Sequence, residues 1–369
     1  MQLVCKKGMC TGCMACEEIC PRNAVKVVDD IQEYNALIDE KKCVNCNMCK
    51  KVCQNENPVE NRKSIGYQQG WICDETLRKK SSSGGAAVAL AQAFIKQGGI
   101  VYSCIFKDGE FCFEFAKNAE DCKKFQGSKY VKSNPIGIYD KIKKMLINKE
   151  KVLFIGLPCQ VAALLNFVGQ NNYQYLYTVD LICHGTPSPK LLSLFLDDYK
   201  CKLKDVGNIQ FRKGNQFLIS QDGKLITNEK VMDLYTLAYL NGLDYTNNCY
   251  SCKYARPERV SDVTIGDSWG SNLDQKEKGI SLLLCQTRKG KELINMSELE
   301  LFDVDYSKAL ESNMQLRHPS EMNSKRQRFF TNIKKGKRFK TAYRKCYPIM
   351  FYKQELKNIL LKFGIMKTN

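Results

Sequence analysis

The chain reads as a mixed α+β and α/β protein with three parts: a small cysteine-rich module, an α/β body and a basic helical tail. Three observations predict this. A four-cysteine pattern occurs twice before residue 54. From Ala86 onward, apolar runs of strand length alternate with helical stretches. The last part, from Pro319, holds 14 Lys and Arg against 2 acidic residues, so +12 of the net +18 belongs to it. The expected division is therefore 1–62 for the cysteine-rich module, 63–150 and 151–318 for two parts of the body, and 319–369 for the tail.

The 369 residues are 44% hydrophobic and 26% charged, which suits a globular chain of two or three domains. The 20 Cys stand against only 2 His. No residue of Met1 to Val28 forms the apolar core of a signal peptide. The longest uncharged apolar stretch, Val152 to Val168, is interrupted by Gly156, Pro158, Gln160 and Asn166. A secreted disulfide scaffold and a membrane span both lose support. Sulfur-rich metal sites in a reducing, cytoplasmic compartment are expected instead.

Element by element, Val25–Val28 and Tyr34–Asp39 read as two short strands of a hairpin between the cysteine runs. The polar segment Asn55 to Ser64, containing Pro58, reads as a linker. Ser81 to Gly85 precedes a helix, Ala86 to Gln97, which Gly98-Gly99 ends. Ile100 to Phe106 is a strand, paired through the Asp108-Gly109 turn with Glu110 to Ala116. Asp140 to Asn148 is helical and Lys151 to Ile155 a buried strand. Gly156 to Cys159 is read as a loop and Gln160 to Val168 as the next helix. Tyr175 to Ile182 is a strand, and Ser188-Pro189 opens a helix to about Lys200. Strands alternating with helices predict a helix-covered sheet, with ligands at the strand ends.

The chemistry is concentrated in cysteine. The runs Cys10-x2-Cys13-x2-Cys16-x3-Cys20 and Cys43-x2-Cys46-x2-Cys49-x3-Cys53 have the spacing of a bacterial-type ferredoxin domain with two [4Fe–4S] clusters. That resemblance assigns Cys10, Cys13, Cys16 and Cys53 to one cluster and Cys43, Cys46, Cys49 and Cys20 to the other. Structural zinc is the competing reading, but it groups paired ligands across a gap. Pro21 follows the first run, whereas Gln54 follows the second. Cys159, Cys183 and the pair Cys249-x2-Cys252 fall at strand ends or in one short turn. They could hold a third cubane, or Cys159 and Cys183 could be buried small hydrophobes. Spacing alone leaves both open. Cys5, Cys73, Cys104, Cys112, Cys122, Cys201, Cys285 and Cys346 show no ligand spacing.

Ser81 to Gly85 would suit a pyrophosphate at a helix N-terminus, although the pentapeptide by itself is first an N-cap. Neither G-x-G-x-x-G nor a P-loop occurs. Gly127-Ser128-Lys129-Tyr130 offers donors, a cation and an aromatic face. His184 could supply a proton beside a redox centre or simply bond a loop. Asp262 to Gly270 places two carboxylates around a short strand and turn, as a loop lining a site would.

Taken in order, Ser82-Ser83-Gly84-Gly85, Gly127 to Val131, Gly156 to Gln160, Cys183 to Gly185, Cys249-x2-Cys252 and Ser261 to Gly270 resemble one family. It is the coenzyme F420 hydrogenase/dehydrogenase beta-subunit family, which includes 7-hydroxymethyl chlorophyll a reductase. The likeness covers about residues 65 to 330. It implies an FAD-binding α/β domain, a third [4Fe–4S] cluster on Cys159, Cys183, Cys249 and Cys252, and an oxidoreductase. It further implies flavin contacts from Ser82, Ser83, Gly84 and Gly85, and from Gly127, Ser128, Lys129 and Tyr130. Lys129 and His184 are the candidate catalytic residues.

The expected function is an iron–sulfur flavoprotein that passes electrons from a ferredoxin-like donor to FAD, and on to a small organic substrate or deazaflavin. The alternative is an electron-transfer subunit with no substrate of its own. A redox partner protein is expected either way. In the tail, Leu356, Ile359, Leu360 and Phe363 recur at helical spacing among lysines. That pattern fits a terminal helix packed on the domain, with peripheral contact to an anionic membrane or an acidic partner as the other readings. No nucleic-acid reader module is recognisable.

Overall fold

A computed structural model describes residues 2–213, 216–363 and 365. The N-terminal module contains strands β1 (Gln2–Leu3), β2 (Val25–Asp29) and β3 (Tyr34–Ile38), in the antiparallel order β1-β3-β2. Short helices α1 (Ala15–Glu18) and α2 (Met48–Val52) follow the second cysteine of each run. The sequence repeat is also a backbone repeat. Gly12 and Asn45 take positive φ, as do Met14 and Asn47, the residues just before and just after that cysteine. These paired reversals turn each third cysteine, Cys16 and Cys49, back into its short helix.

The body begins with β4 (Gly66–Ile72), α3 (Glu75–Lys80), α4 (Ala86–Lys96), β5 (Ile100–Lys107) and β6 (Glu110–Ala116). It continues through α5 (Tyr139–Ile147), β7 (Val152–Gly156), α6 (Pro158–Val168), β8 (Leu176–Leu181) and α7 (Pro189–Asp197). A small antiparallel sheet of β9 (Ile209–Lys213), β10 (Gln216–Gln221) and β11 (Lys224–Leu225) leads to α8 (Leu234–Leu240). Then come β12 (Val263–Asp267), β13 (Ser281–Cys285), α9 (Arg288–Met296), β14 (Leu299–Asp303) and α10 (Tyr306–Ser312).

Eight strands form one mixed sheet, in the order β14-β4-β13-β12-β8-β7-β5-β6. Its centre, β12-β8-β7-β5, is parallel, and the remaining strands pair antiparallel on either side. The strands on both sides of residue 150 thus hydrogen-bond into a single sheet. Val101, Leu153, Ile155, Val179 and Val263 face α4 and α9 on one side. Tyr102 and Phe154 face α5, α6 and the cysteine-rich module on the other, in one continuous core. Tyr139 of α5 donates its hydroxyl to the Cys13 carbonyl at 2.9 Å. The Glu18 carboxylate accepts from the Gly137 and Asp140 N–H groups at 2.8 and 2.7 Å.

Several boundaries differ from expectation. Helix α6 starts at Pro158, so Cys159 lies in its first turn rather than in a loop, because the fixed φ of proline suits the opening of a helix. Helix α7 stops at Asp197, where Lys200 at positive φ turns the chain. Strands β4, β13 and β14 are additions to the expected elements. The uninterrupted run Ser-Leu-Leu-Leu-Cys of β13 is buried on both faces and has no alternation to read. In the tail, α11 (Arg326–Lys334) and α12 (Phe339–Cys346) bury Phe329, Phe330, Phe339 and Tyr343 against α7 and α8. The last helix, α13 (Pro348–Lys362), buries Phe351 but exposes Leu356 and Ile359, with Phe363 exposed just beyond it. The expected packed terminal helix is therefore packed at its start, and Met366 lies outside the described residues. Among the described residues, no helix is long and apolar enough to cross a membrane.

Candidate cofactor sites and an internal cavity

The fold gathers twelve of the cysteines around three spaces. Cys10, Cys13, Cys16 and Cys53 line the first, together with Thr11 and Gln54. Cys20, Cys43, Cys46 and Cys49 line the second, on the outer side of the module, where Cys46 is exposed. Cys159, Cys183, Cys249 and Cys252 line the third. Cys159 is the second residue of α6, Cys183 follows β8 by two residues, Cys249 lies within a 3-10 turn and Cys252 directly follows it. The Asn248 side-chain amide donates to the Cys249 sulfur at 3.7 Å, and the Thr246 hydroxyl lies 3.5 Å from it.

All twelve cysteines are free. Among the described residues, no three His, Cys, Asp or Glu side chains stand close enough to hold a single ion. Burial holds the Cys13, Cys159 and Cys252 thiols up at about 11. Such thiols ionise near neutrality when a soft metal takes the place of the proton.

Sequence spacing missed Cys5. It is buried in the first space beside Cys10 and Cys53, and the Asn55 amide lies 3.9 Å from its sulfur. The departure at Gln54 also acquires a role. Its buried side chain accepts from the Tyr254 hydroxyl at 2.6 Å, two residues beyond Cys252. The module and the third thiol group are thus joined directly.

A separate cavity of about 410 Å³ opens at the carboxyl ends of β7, β8 and β12. Ligands in open α/β sheets bind at this end of the strands. Its walls are mostly apolar with a few polar groups, as expected of a site for an organic ligand. Ser82, Ser83, Gly85, Gly127, Ser128, Lys129 and Tyr130 all line it. The Ser82 hydroxyl accepts from the Ser128 N–H at 2.6 Å, tying the two predicted segments together. The Ser83 hydroxyl donates to the Ile280 carbonyl at 2.9 Å. Gly85 caps α4 at φ 83°, a backbone conformation that favours glycine. Gly84 does not line the cavity. A Cβ there would meet the Gly70 carbonyl oxygen at 2.3 Å, so this glycine serves close packing.

Lys129 donates its ammonium to the Phe125 and Gln126 carbonyls at 3.0 and 3.1 Å, and burial lowers its pKa. His184 is open to the cavity yet lies deep among protein atoms. Burial lowers its pKa, Asp267 opposes that shift and Arg212 adds to it. Arg212, Tyr239 and Phe217 also line the cavity and had no sequence signal. The Arg212 guanidinium grips Asp267 with two bonds, at 2.6 and 3.0 Å. Tyr130 stacks on Phe217, with ring centres 5.6 Å apart. Of the two carboxylates expected to line a site, Asp267 does. Asp262 instead accepts from the Thr178 N–H and from the Thr178 and Thr287 hydroxyls, away from the cavity. Leu157 and the stretch Cys183-His184-Gly185-Thr186 line both the third thiol site and the cavity.

Residues 149–305 match the family model for the C-terminal part of the coenzyme F420 hydrogenase/dehydrogenase beta subunit, and residues 9–57 match a 4Fe-4S dicluster domain. The chain thus carries a domain of this beta-subunit family behind a 4Fe-4S dicluster domain. The chain is 27% identical over 320 residues to the coenzyme F420-dependent sulfite reductase of Methanocaldococcus jannaschii. That match covers 79% of this chain and 46% of the relative, so the chain spans about half the length of that enzyme. It is 22% identical over 300 residues to a subunit of the F(420)H(2) dehydrogenase of Methanosarcina mazei, covering 75% of this chain and 82% of that one. A chain of the F420-reducing [NiFe] hydrogenase complex from Methanosarcina barkeri superposes with TM-score 0.46 at 20% identity, covering 69% of this chain and 91% of that one.

Proposed function

We propose that this protein is an iron–sulfur flavoprotein oxidoreductase. In this reading Cys10, Cys13, Cys16 and Cys53, then Cys20, Cys43, Cys46 and Cys49, and finally Cys159, Cys183, Cys249 and Cys252 hold three [4Fe–4S] clusters. FAD would occupy the cavity lined by Ser82, Ser83, Gly85 and Gly127 to Tyr130. Bound clusters supply one-electron transfer, and a bound flavin links it to two-electron chemistry. The observation that carries the reading is the shared wall: Leu157 and Cys183 to Thr186 separate the third thiol site from the cavity by one layer of residues.

The chain's own groups supply binding and charge. Tyr130, Phe217 and Tyr239 present aromatic faces to the cavity. The Arg212–Asp267 pair fixes a polar corner. A His184 imidazole kept neutral offers one donating and one accepting nitrogen for a proton relay to a small substrate. Lys129 holds the 125–129 turn against the same wall. Because one relative is named as a subunit of a dehydrogenase, a second reading is kept. The chain would then relay electrons between partner proteins and turn over no substrate alone.

The deciding experiment is the iron, sulfide and flavin content of anaerobically purified protein. About twelve irons and one FAD per chain are expected, at four irons per cubane. About eight irons without flavin would overturn the reading and leave a ferredoxin-bearing relay.

A further inference from the structure

Lys132 stands out among the buried charges. Only 3% of it is accessible, yet no hydrogen bond or ion pair of its ammonium group is found among the described residues. It lines the third thiol space alongside Cys159, Cys183, Cys249 and Cys252. The side chains with the largest electrostatic influence on it are Cys159, Cys249, Cys183 and Cys10, all thiols. Conversely, it is a charge felt by Cys13 in the first ferredoxin group. Arg259, a buried cation that also acts on Cys252, is by contrast neutralised by Asp180 at 3.1 Å.

The backbone holds Lys132 in place from both sides. Its N–H donates to the Pro187 carbonyl at 2.9 Å, on the loop that carries Cys183. The next residue, Ser133, accepts from the Gln160 amide at 3.1 Å through its hydroxyl, and Gln160 adjoins Cys159. A buried ammonium without a carboxylate is costly unless a negative group faces it. The titratable groups with the largest influence on this one are cysteines, all but Cys10 in the space it lines.

Resting on the three-cluster reading above, we infer that Lys132 is a built-in counter-cation for the iron–sulfur centre bounded by Cys159, Cys183, Cys249 and Cys252, and that it raises the reduction potential of that centre. The physical reason is charge. A cubane held by four thiolates is already anionic, and its one-electron reduction adds a further negative charge in a water-poor space. A fixed cation there favours the reduced form more than the oxidised one, and local charge is one of the terms that sets such potentials.

The test uses the full chain, purified anaerobically and titrated with dithionite while paramagnetic resonance follows each centre. Lys132→Met is expected to lower the reduced-to-oxidised ratio of the third centre at least tenfold at fixed potential, a downward shift of about 59 mV for one electron. Lys132→Arg is expected to stay within a factor of about three of the wild type, because the charge is kept. Twelve irons in Lys132→Met with an unchanged midpoint would overturn this inference and leave the three-cluster reading standing. Eight irons in the wild type would overturn both, at the iron count rather than at the potential. If Lys132→Met and Lys132→Gln both lose four irons while Lys132→Arg keeps them, the charge requirement is upheld. Loss in all three would show that only the side-chain shape matters, and would overturn it.

Discussion

His184 shows how one residue reads out its surroundings. Its ring opens to the cavity but is flanked by the Cys183 backbone and by Arg212 and Asp267 beyond, and burial sets the net downward shift. The sign of the consequence follows from linkage. Above about pH 6.5, the ordinary histidine value, the ring is neutral in folded and unfolded chains alike and contributes no slope. As pH falls through that value, the unfolded chain takes up the proton first, so stability falls until the lowered folded value is reached. His184→Asn is expected to flatten this acid-side slope, read as denaturation midpoints between about pH 5 and 7. An unchanged slope would assign the acid sensitivity to other groups.

At the scale of elements, the junction of β4 and α4 shapes one wall of the cavity. The Ile72 N–H donates to the Gly84 carbonyl at 2.7 Å, and Gly84 sits where any Cβ would meet the Gly70 carbonyl and the Ser281 N–H. The strand and the start of the helix therefore approach as closely as backbone allows. Gly84→Ala is expected to push them apart at a cost of about 2 kcal/mol, the usual scale for overpacking. Because Ser82, Ser83 and Gly85 ride on the same turn, the flavoprotein reading proposed above predicts that the variant also retains less flavin per chain after gel filtration. Full flavin retention with normal stability would show that the turn accommodates the methyl group.

For the molecule as a whole, the module is not an appendage on a linker. Its inner cysteine group, α5 and α6 share one core, and Gln54 and Tyr254 couple it to the third thiol site. Tyr139→Phe removes the bond to the Cys13 carbonyl and leaves that buried acceptor unpaired. A loss of about 1 kcal/mol is expected, with the module's thermal transition moving below that of the body. A single unshifted transition would mean that the apolar contacts alone hold the two together. Cys46 of the outer group is exposed and the inner group is buried, while the third group, with Cys159 and Cys249 buried and Cys183 and Cys252 half-buried, shares lining residues with the cavity.

The repeated cysteine spacing was legible because only two or three residues separate consecutive cysteines, and the tight turns at Gly12 and Asn45 leave the chain little choice. Strands β5 and β7, the Asp108-Gly109 turn and helix α4 were legible for the same local reason. Strand β13 was not, since a strand buried on both faces carries no periodicity. The third thiol group joins positions up to 93 residues apart in the chain, Cys159 to Cys252. Only the winding of β7, β8 and the turn after α8 brings them to one space. Cys5, Arg212 and Lys132 belong to the same class. Nothing in their neighbours' spacing marks them, because what defines each is a charge or a thiol contributed by a distant segment. Local chemistry follows the order of residues along the chain, whereas the electrostatics of a buried site depends on which segments the sheet lays side by side.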